Sequence, residues 1–204
     1  MKTTTGQVVV DFTPEPLTQD VSFVFHIEKT ADVVVDSLTA EISGIPSTME
    51  LTTGLILAQK TYKLLFRPTY AALPSAADSA SAEALRCEAS VNIPGIVRSH
   101  TEDMVTGPGI LQIAIYTHYD YEEEGTQRKA AKVFHAGINL YHTLKERKSL
   151  QWDEEENGYR QASRSITVEI GSPLNIDKDG ILNGGSTSTG LDQWIPGETF
   201  EIEV

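Results

Sequence analysis

The sequence predicts an all-β protein, an antiparallel β-sandwich with little helix. Short runs of β-branched and aromatic residues alternate between apolar and polar positions, and turn residues separate them at intervals of about 8–12 residues. The last six residues show the pattern clearly, because a period of two places Phe200, Ile202 and Val204 on one face. We expect that face to be the buried one, in a terminal strand that a sheet holds in place.

The first half of the chain contains several predicted strands separated by turn residues. Pro14 and Pro16 stop the first strand, and Gly44 and Pro46 end the third. The predicted strands cover residues 7–12, 21–27, 33–42, 61–66 and 85–93, with shorter strand segments at Met49 and Leu51.

The second half continues the same alternation. Strands are predicted at 110–116, after a Gly-Pro-Gly turn, and at 166–170, while 121–125 and 153–158 read as acidic hairpin tips. The stretch 130–148 has features of a helix, but Gly137 weakens that interpretation by about 1 kcal/mol relative to alanine. We favour a strand around residues 132–134, followed by a helical turn or loop.

The 204 residues suffice for one β-sandwich domain spanning 1–204, and the small-residue stretch 71–84 is the alternative boundary between two smaller domains. Sixteen basic residues against 29 acidic ones give a net charge of −13. This balance disfavours a nucleic-acid binder or a protein that docks on an anionic membrane. The polar opening and the lack of a long apolar run predict neither a signal peptide nor a transmembrane helix within the chain.

The single cysteine and Trp194 are expected to be structural. Cys87 shares a predicted strand face with Leu85, Ala89 and Val91, which favours a buried thiol over a nucleophile. Trp194 precedes the last strand and is expected to fill the core or its rim.

The best candidate for a metal site is a weak calcium-loop pattern formed by Asn175, Asp177 and Asp179, followed by Gly180. The last ligand position carries Ser186 in place of a bidentate glutamate, and Asp-Lys-Asp-Gly is also ordinary turn chemistry. We therefore favour a turn, and we predict no metal and no cofactor.

A polar aromatic cluster is the best candidate for a ligand surface. It comprises Tyr116, His118, Tyr119 and Tyr121, at the end of a predicted strand. Such side chains can contact a glycan or a peptide with little loss of entropy, and the structural alternative is a set of cross-strand pairs. No zinc-protease, serine-hydrolase, P-loop or dinucleotide motif is present, so the sequence predicts no catalytic residues.

Three segments together resemble the fimbrillin-like fimbrial anchor and accessory lipoproteins of Bacteroides-type bacteria. They are a strand closing in Ser-Gly and followed by Thr-Gly (35–54), a long strand before a charged hairpin (111–120), and a Gly-rich run, tryptophan and closing strand (184–204). The order and spacing of these segments carry the resemblance, which spans about residues 7–204.

The resemblance implies a transthyretin-like, Greek-key sandwich and a structural role. The chain would be a pilus anchor, tip or accessory subunit that assembles with other pilus subunits or surface proteins by strand complementation. It would lie at the cell surface, as the C-terminal part of a larger exported lipoprotein whose leader and lipid anchor lie outside this chain. The candidate edges for strand complementation are residues 7–12 and 199–204.

The alternative function is a carbohydrate-binding accessory module on the bacterial outer surface. It predicts a concave cluster of exposed aromatic residues around Tyr116, Tyr119 and Tyr121. Both alternatives are non-enzymatic, and fold class does not decide between them.

Overall fold

The computed structural model describes residues 16–73, 82–97, 108–147, 149–182 and 194–202, and these residues are nearly all β. The strands are β1 (Gln19–Thr30), β2 (Val33–Met49), β3 (Ile56–Phe66), β4 (Thr69–Ala72), β5 (Ala82–Ile93), β6 (Ile110–Glu123), β7 (Thr126–Asn139), β8 (Leu150–Asp153), β9 (Gly158–Gln161), β10 (Ser165–Glu169), β11 (Leu174–Ile176), β12 (Ile181–Leu182) and β13 (Ile195–Ile202). One short helix, α1 (Tyr141–Glu146), follows β7. The predicted all-β class with little helix is confirmed.

The strands form two sheets that pack face to face, which confirms the predicted sandwich. The six-stranded sheet has the order β12-β11-β1-β5-β4, with β10 also paired to β1, and the seven-stranded sheet has the order β13-β7-β6-β2-β3-β9-β8. Neighbouring strands are antiparallel, except that β1 pairs in parallel with β10 and then with β11. Greek-key and transthyretin-like connectivity stays a prediction.

The core lies between the two sheets and is built by alternate residues of each strand. The predicted apolar stripe of β1, which comprises Val21, Phe23, Phe25 and Ile27, is fully buried. Phe23 stacks on Phe66 of the opposite sheet with ring centroids 5.6 Å apart, and Phe25 meets Trp194 edge to face at 5.8 Å. Such aromatic pairs stabilise the sandwich beyond the area that they bury.

The single cysteine and Trp194 both belong to the core. Cys87 is fully buried in β5 on the face predicted for it, and burial raises the pKa of its thiol to about 12. The indole Nε1 of Trp194, itself only 5% exposed, donates a hydrogen bond to the carbonyl of Ser172 at 2.9 Å. Both residues are therefore structural, as expected.

Strand β2 is longer than the sequence predicts. Gly44 and Pro46 were expected to end it, but the strand continues to Met49 through register shifts against β3. Gly44 has a φ of 84°, and a Cβ there would lie 2.7–2.9 Å from backbone atoms of Val97, Pro108 and Gly109. The glycine thus forms a bulge over which the neighbouring loops pack closely, so the strand bends where the sequence suggested that it stops.

The second half of the chain follows the sequence closely. For the stretch 130–148, the favoured strand followed by a helical turn is present, but β7 is longer than the strand predicted around 132–134, and α1 follows it. The tip between β6 and β7 places Glu124 and Gly125 in the left-handed region, with φ of 51° and 76°, which is the geometry of a two-residue type I′ hairpin. The acidic tip at 153–158 joins β8 to β9.

The C-terminal strand β13 is built into the fold, but Phe200, on the side predicted to be buried, faces solvent. Phe200 pairs with Val133 on the solvent side of the seven-stranded sheet and is 51% exposed. Alternation defines two faces of a strand, but the register with its neighbour decides which face is buried. The strand predicted at 7–12 lies outside the described residues, as does most of the stretch 71–84.

Candidate functional site

The four residues of the predicted aromatic surface divide between the two faces of β6. Tyr116 and His118 point away from the sandwich, in line with Gln112 and Ala114, whereas Tyr119 and Tyr121 follow the core-facing residues. Neighbouring positions of a strand necessarily face opposite sides. The structure therefore brings together two pairs of residues rather than one cluster of four.

The core-side pair lies where the sandwich ends and a two-stranded ribbon begins. The rings of Tyr119 and Tyr121 are 6.2 Å apart, and the Lys132 ammonium lies 5.3 Å from the centre of the Tyr119 ring. Lys132 is buried and donates a hydrogen bond to the carbonyl of Lys178 at 2.7 Å. Beyond Tyr119, the β6–β7 ladder continues to its tip with exposed side chains on both faces.

The solvent-side pair is held at a bulge of β2. His118 Nδ1 lies 2.7 Å from a carboxylate oxygen of Asp36, the residue at which the β2–β6 register shifts. The hydroxyl of Tyr70, on the opposite sheet, donates to the carbonyls of Val35 and Asp36 at 2.9 and 3.1 Å. These bonds fix the bulge and connect the two sheets, so His118 has a structural partner.

A further surface, which the sequence did not indicate, extends from Tyr116 to the C-terminal strand. We call it the outer apolar face and define it by residues of β6, β7 and β13: Ala114, Tyr116, Val133, His135, Gly137, Ile195 and Phe200. The register places Phe200, Val133 and Tyr116 in one row across the sheet, and Ile195 beside Gly137 in another. Phe200 also packs edge to face on His135 with ring centroids 5.6 Å apart.

Among the seven residues that define the outer apolar face none is acidic, and the imidazole of His135 is the one basic side chain. Two ion pairs lie on the same side of the sheet: Lys63 contacts Glu41 at 2.7 Å, and His118 contacts Asp36 at 2.7 Å. The seven side chains that define the face are thus mostly apolar or aromatic, in a chain with a net charge of −13. The outer apolar face therefore offers a partner apolar and aromatic contacts rather than catalytic groups.

Strand β13 is the last strand at one edge of the seven-stranded sheet. Within the described residues it pairs with β7 alone, so its other edge has no strand partner. Its register shifts between Pro196 and Thr199, where a Cβ on Gly197 would lie only 2.9 Å from the Cβ of His135. Among the strands that the structure describes, the C-terminal strand thus lies at a sheet edge, immediately beside the outer apolar face.

The candidate calcium residues form a hydrogen-bonded turn between β11 and β12. A carboxylate oxygen of Asp177 accepts the backbone N–H groups of Asp179 and Gly180 at 2.7 and 2.8 Å, and Asp177 N–H donates to the Gly180 carbonyl. Asn175 lies within β11. Over the described ranges no three histidine, cysteine, aspartate or glutamate side chains are grouped to hold a metal ion.

One groove of about 330 Å³ lies between the 49–54 turn and the segment 160–164. Arg160, which lines it, donates to a carboxylate oxygen of Asp153 at 2.6 Å and to the carbonyl of Thr53 at 2.8 Å. The backbone N–H of Glu156 and the Arg160 side chain hold the pKa of Asp153 below its ordinary value. The arginine charge is thus used within the fold, and the groove brings no nucleophile and base together.

Comparisons with known proteins add no identification. Family models, curated proteins and solved structures were searched, and none of them matches this chain. Among the described residues, no helix is long and apolar enough to cross a membrane.

Proposed function

We propose that this protein is a structural subunit of a cell-surface fibre, acting as a fimbrial anchor, tip or accessory subunit through protein–protein assembly and adhesion. Its partners would be other pilus subunits or surface proteins, and no cofactor or catalytic step is involved. The chain would lie at the cell surface, held at the outer membrane through a lipid anchor. Cell-surface location and pilus membership derive from the family resemblance of the sequence.

The open edge of β13 is the observation that carries this proposal. An unpaired edge presents a row of N–H and C=O groups that can pair with a strand of another molecule. In the described residues β13 has β7 on one side and no strand on the other. A strand added there would extend the seven-stranded sheet from one subunit into the next.

Two adjacent proline substitutions, Thr199→Pro and Phe200→Pro, test the edge. Successive N–H groups of an edge strand point alternately towards the neighbouring strand and away from it, so one proline removes an outward donor and the other an inward one. We expect the variant that keeps its melting temperature to lose incorporation into surface fibres, as followed by cell fractionation and electron microscopy. Normal fibre incorporation by both folded variants would contradict the proposal.

The second candidate, a carbohydrate-binding accessory module, is supported by the Tyr119–Tyr121 pair. Two rings 6.2 Å apart beside a lysine offer stacking and hydrogen-bonding groups for a sugar. Binding to a glycan array should then be lost in Tyr119→Ala and Tyr121→Ala and kept in Tyr116→Ala, which alters the opposite face of β6. Loss in Tyr116→Ala alone, or no binding by the unaltered protein, would reject this candidate.

A further inference from the structure

We propose that Asn157 is a site of spontaneous covalent modification: its side-chain amide is deamidated, and the isoaspartate that forms opens the tip of the β8–β9 hairpin. This inference concerns the hairpin at one end of the seven-stranded sheet and does not depend on the proposed role in a fibre. It rests on the residue that follows Asn157, on the surroundings of the Asn157 amide, and on the weak attachment of the hairpin to the sheet.

The residue after Asn157 gives the reaction its chemical basis. Asparagine is thermally labile because the backbone nitrogen of the next residue can attack its side-chain carbonyl carbon, and a bulky next residue obstructs that approach. Gly158 follows Asn157 and has no side chain, whereas isoleucine follows Asn92 and Asn175. Asn183 also precedes a glycine and lies outside the described residues. Of the asparagines in the described ranges, Asn157 is therefore the most open to this attack.

The reaction needs no enzyme and no cofactor. The Gly158 nitrogen forms a bond to Cγ of Asn157, and its proton leaves with the side-chain nitrogen as ammonia, so that a succinimide ring results. Water then adds to either carbonyl of the ring and gives aspartate or isoaspartate. Water is the co-reactant, and no oxidation or reduction takes place.

The surroundings of Asn157 leave its side-chain amide accessible. Asn157 is exposed in the acidic tip, and within the described residues its side chain has no hydrogen-bond partner. By contrast, the Asn92 amide donates to Asp20 at 2.7 Å, and Asn139 Oδ1 accepts the Tyr141 N–H at 2.9 Å. Nothing in the described fold therefore holds the Asn157 amide away from the next backbone nitrogen.

Opening of the β8–β9 hairpin at its tip sets the rate of the reaction. Gly158 is paired with Asp153 in the ladder, so its nitrogen must leave that pair before it attacks. The strands β8 and β9 have four residues each, and β9 joins β3 through the single pair Ile56–Tyr159. Short two-stranded hairpins are marginally stable by themselves, and segments with few partners open locally without unfolding of the whole protein. The tip can thus open while the sandwich stays folded.

The isoaspartate product does not fit the closed turn. It carries the chain through the former side chain, which inserts a methylene group into the backbone between residues 157 and 158. The carboxylate that it gains also adds a negative charge to a tip that already holds Glu154–Glu156, and like charges repel each other. The adjacent pair of Asp153 and Gly158 should therefore be lost, which leaves the hairpin open at its tip.

Peptide mapping of the full chain tests the proposal. The protein is incubated at mildly alkaline pH and digested with trypsin, which yields the peptide 149–160 with Asn157 and the peptide 165–178 with Asn175. In mass spectrometry, we expect peptide 149–160 to gain the mass difference between an amide and an acid, and peptide 165–178 to stay unchanged. If peptide 149–160 is converted in the chain unfolded by urea but stays unmodified in the folded protein, the proposal is overturned.

Two arginine-to-lysine variants test whether hairpin opening limits the reaction. Arg160 donates to Asp153 at 2.6 Å and to the Thr53 carbonyl at 2.8 Å, and a lysine ammonium does not reproduce this fork of donors. Arg160→Lys should therefore speed the modification by about fivefold, the factor that corresponds to one hydrogen bond. Arg86→Lys, which alters an exposed pair with Glu88 on the other sheet, is the matched control and should leave the rate unchanged. Equal rates in both folded variants would contradict control by the hairpin.

Hydrogen exchange of the isoaspartate form, separated by its added charge and confirmed by peptide mapping, tests the structural consequence. We expect faster amide exchange in peptide 149–160 and unchanged exchange in peptide 165–178. Unchanged exchange in both peptides would show that the modified hairpin stays closed and would overturn this part of the proposal.

Discussion

The two sheets of the sandwich differ most on their solvent-facing sides. On the six-stranded sheet, β1 and β5 join polar side chains across the strands: Ser22 and Ser90 are hydrogen-bonded at 2.9 Å, and Asn92 donates to Asp20 at 2.7 Å. On the seven-stranded sheet, the corresponding side of β6, β7 and β13 is the outer apolar face. Both sheets cover the same core, so burial of the core does not account for the difference.

The backbones differ in the same sense. Each of the twelve residues of β1 has a partner in β5 without a shift of register. In the seven-stranded sheet, β2 shifts against β6 between Val35 and Ser37, and β13 shifts against β7 between Pro196 and Thr199. These irregularities flank the outer apolar face. Bulges bend and twist a strand, so the seven-stranded sheet is the less regular of the two.

The largest expected effect on stability distinguishes the buried side of the six-stranded sheet from its solvent-facing side. Phe23→Ala should lower the free energy of unfolding by about 3–5 kcal/mol, because it leaves a cavity beside Phe66 in the fully buried core. The adjacent Ser22→Ala should cost about 1 kcal/mol or less, since Ser22 contributes one exposed hydrogen bond. Urea unfolding of both variants measures the contrast, and equal losses would show that the two sides are not distinct.

A substitution at Gly44, in the bulge of β2, should have the next largest effect on stability. Gly44→Ala should cost about 2–3 kcal/mol, since its Cβ would meet three backbone atoms within 3 Å and its φ is positive. Gly125→Ala is the control, because it shares the positive φ but has no atom within 4 Å of a new Cβ. Similar stability of the two variants in urea would indicate that contact at Gly44 does not matter.

A smaller loss of stability is expected from a substitution at Val133, which lies between Phe200 and Tyr116 on the outer apolar face. Val133→Ala should lower the free energy of unfolding by about 1–2 kcal/mol, because Val133 is buried between Phe200 and Tyr116. Ser90→Ala, at an outward position of the other sheet, should cost about 1 kcal/mol or less. A Val133→Ala variant as stable as the unaltered protein would mean that packing among these three residues does not stabilise the fold.

The smallest effect is electrostatic and belongs to the six-stranded sheet. Lys29, which is buried, bonds exposed Glu83 at 2.7 Å, and the hydrogen bond and charge of Lys29 hold the pKa of Glu83 below its ordinary 4.5. A depressed carboxyl pKa stabilises the fold above the unfolded-state pKa, and this contribution disappears as the pH falls through the folded-state value. Glu83→Gln should therefore melt slightly below the unaltered protein at about pH 7, and the difference should narrow as the pH falls below 4.5. A difference in melting temperature that does not narrow in acid would show that Glu83 does not stabilise the fold through its ionised carboxylate.

The sequence predicted most strands because their apolar residues alternate strictly. The stripe from Val21 to Ile27 is buried as expected, and the hairpin tip at Glu124 and Gly125 follows from local turn preferences. Prediction failed where a residue type is compatible with two different local structures. Gly44 and Pro46 are typical of a strand end, yet here they lie in a bulge, because the loops near Val97 and Gly109 approach the strand at that point.

The candidate surface was harder to predict because it depends on register. Tyr116, His118, Tyr119 and Tyr121 are close in sequence, and alternation along β6 alone could have separated them into two pairs. Phe200 gave no comparable signal, since its position beside Val133 depends on how strands almost 70 positions apart pair. Pairing between distant strands is set by the packing of the whole core.

By itself, the sequence determined the all-β class, the alternation within each strand and the acidic character of the molecule, because these follow from local residue order and composition. The tertiary structure alone decided which side of β13 faces solvent, and that Tyr116, Val133 and Phe200 form one face. A period of two gives each strand two equivalent sides, and only the packing of neighbouring strands and of the opposite sheet makes one side core and the other surface.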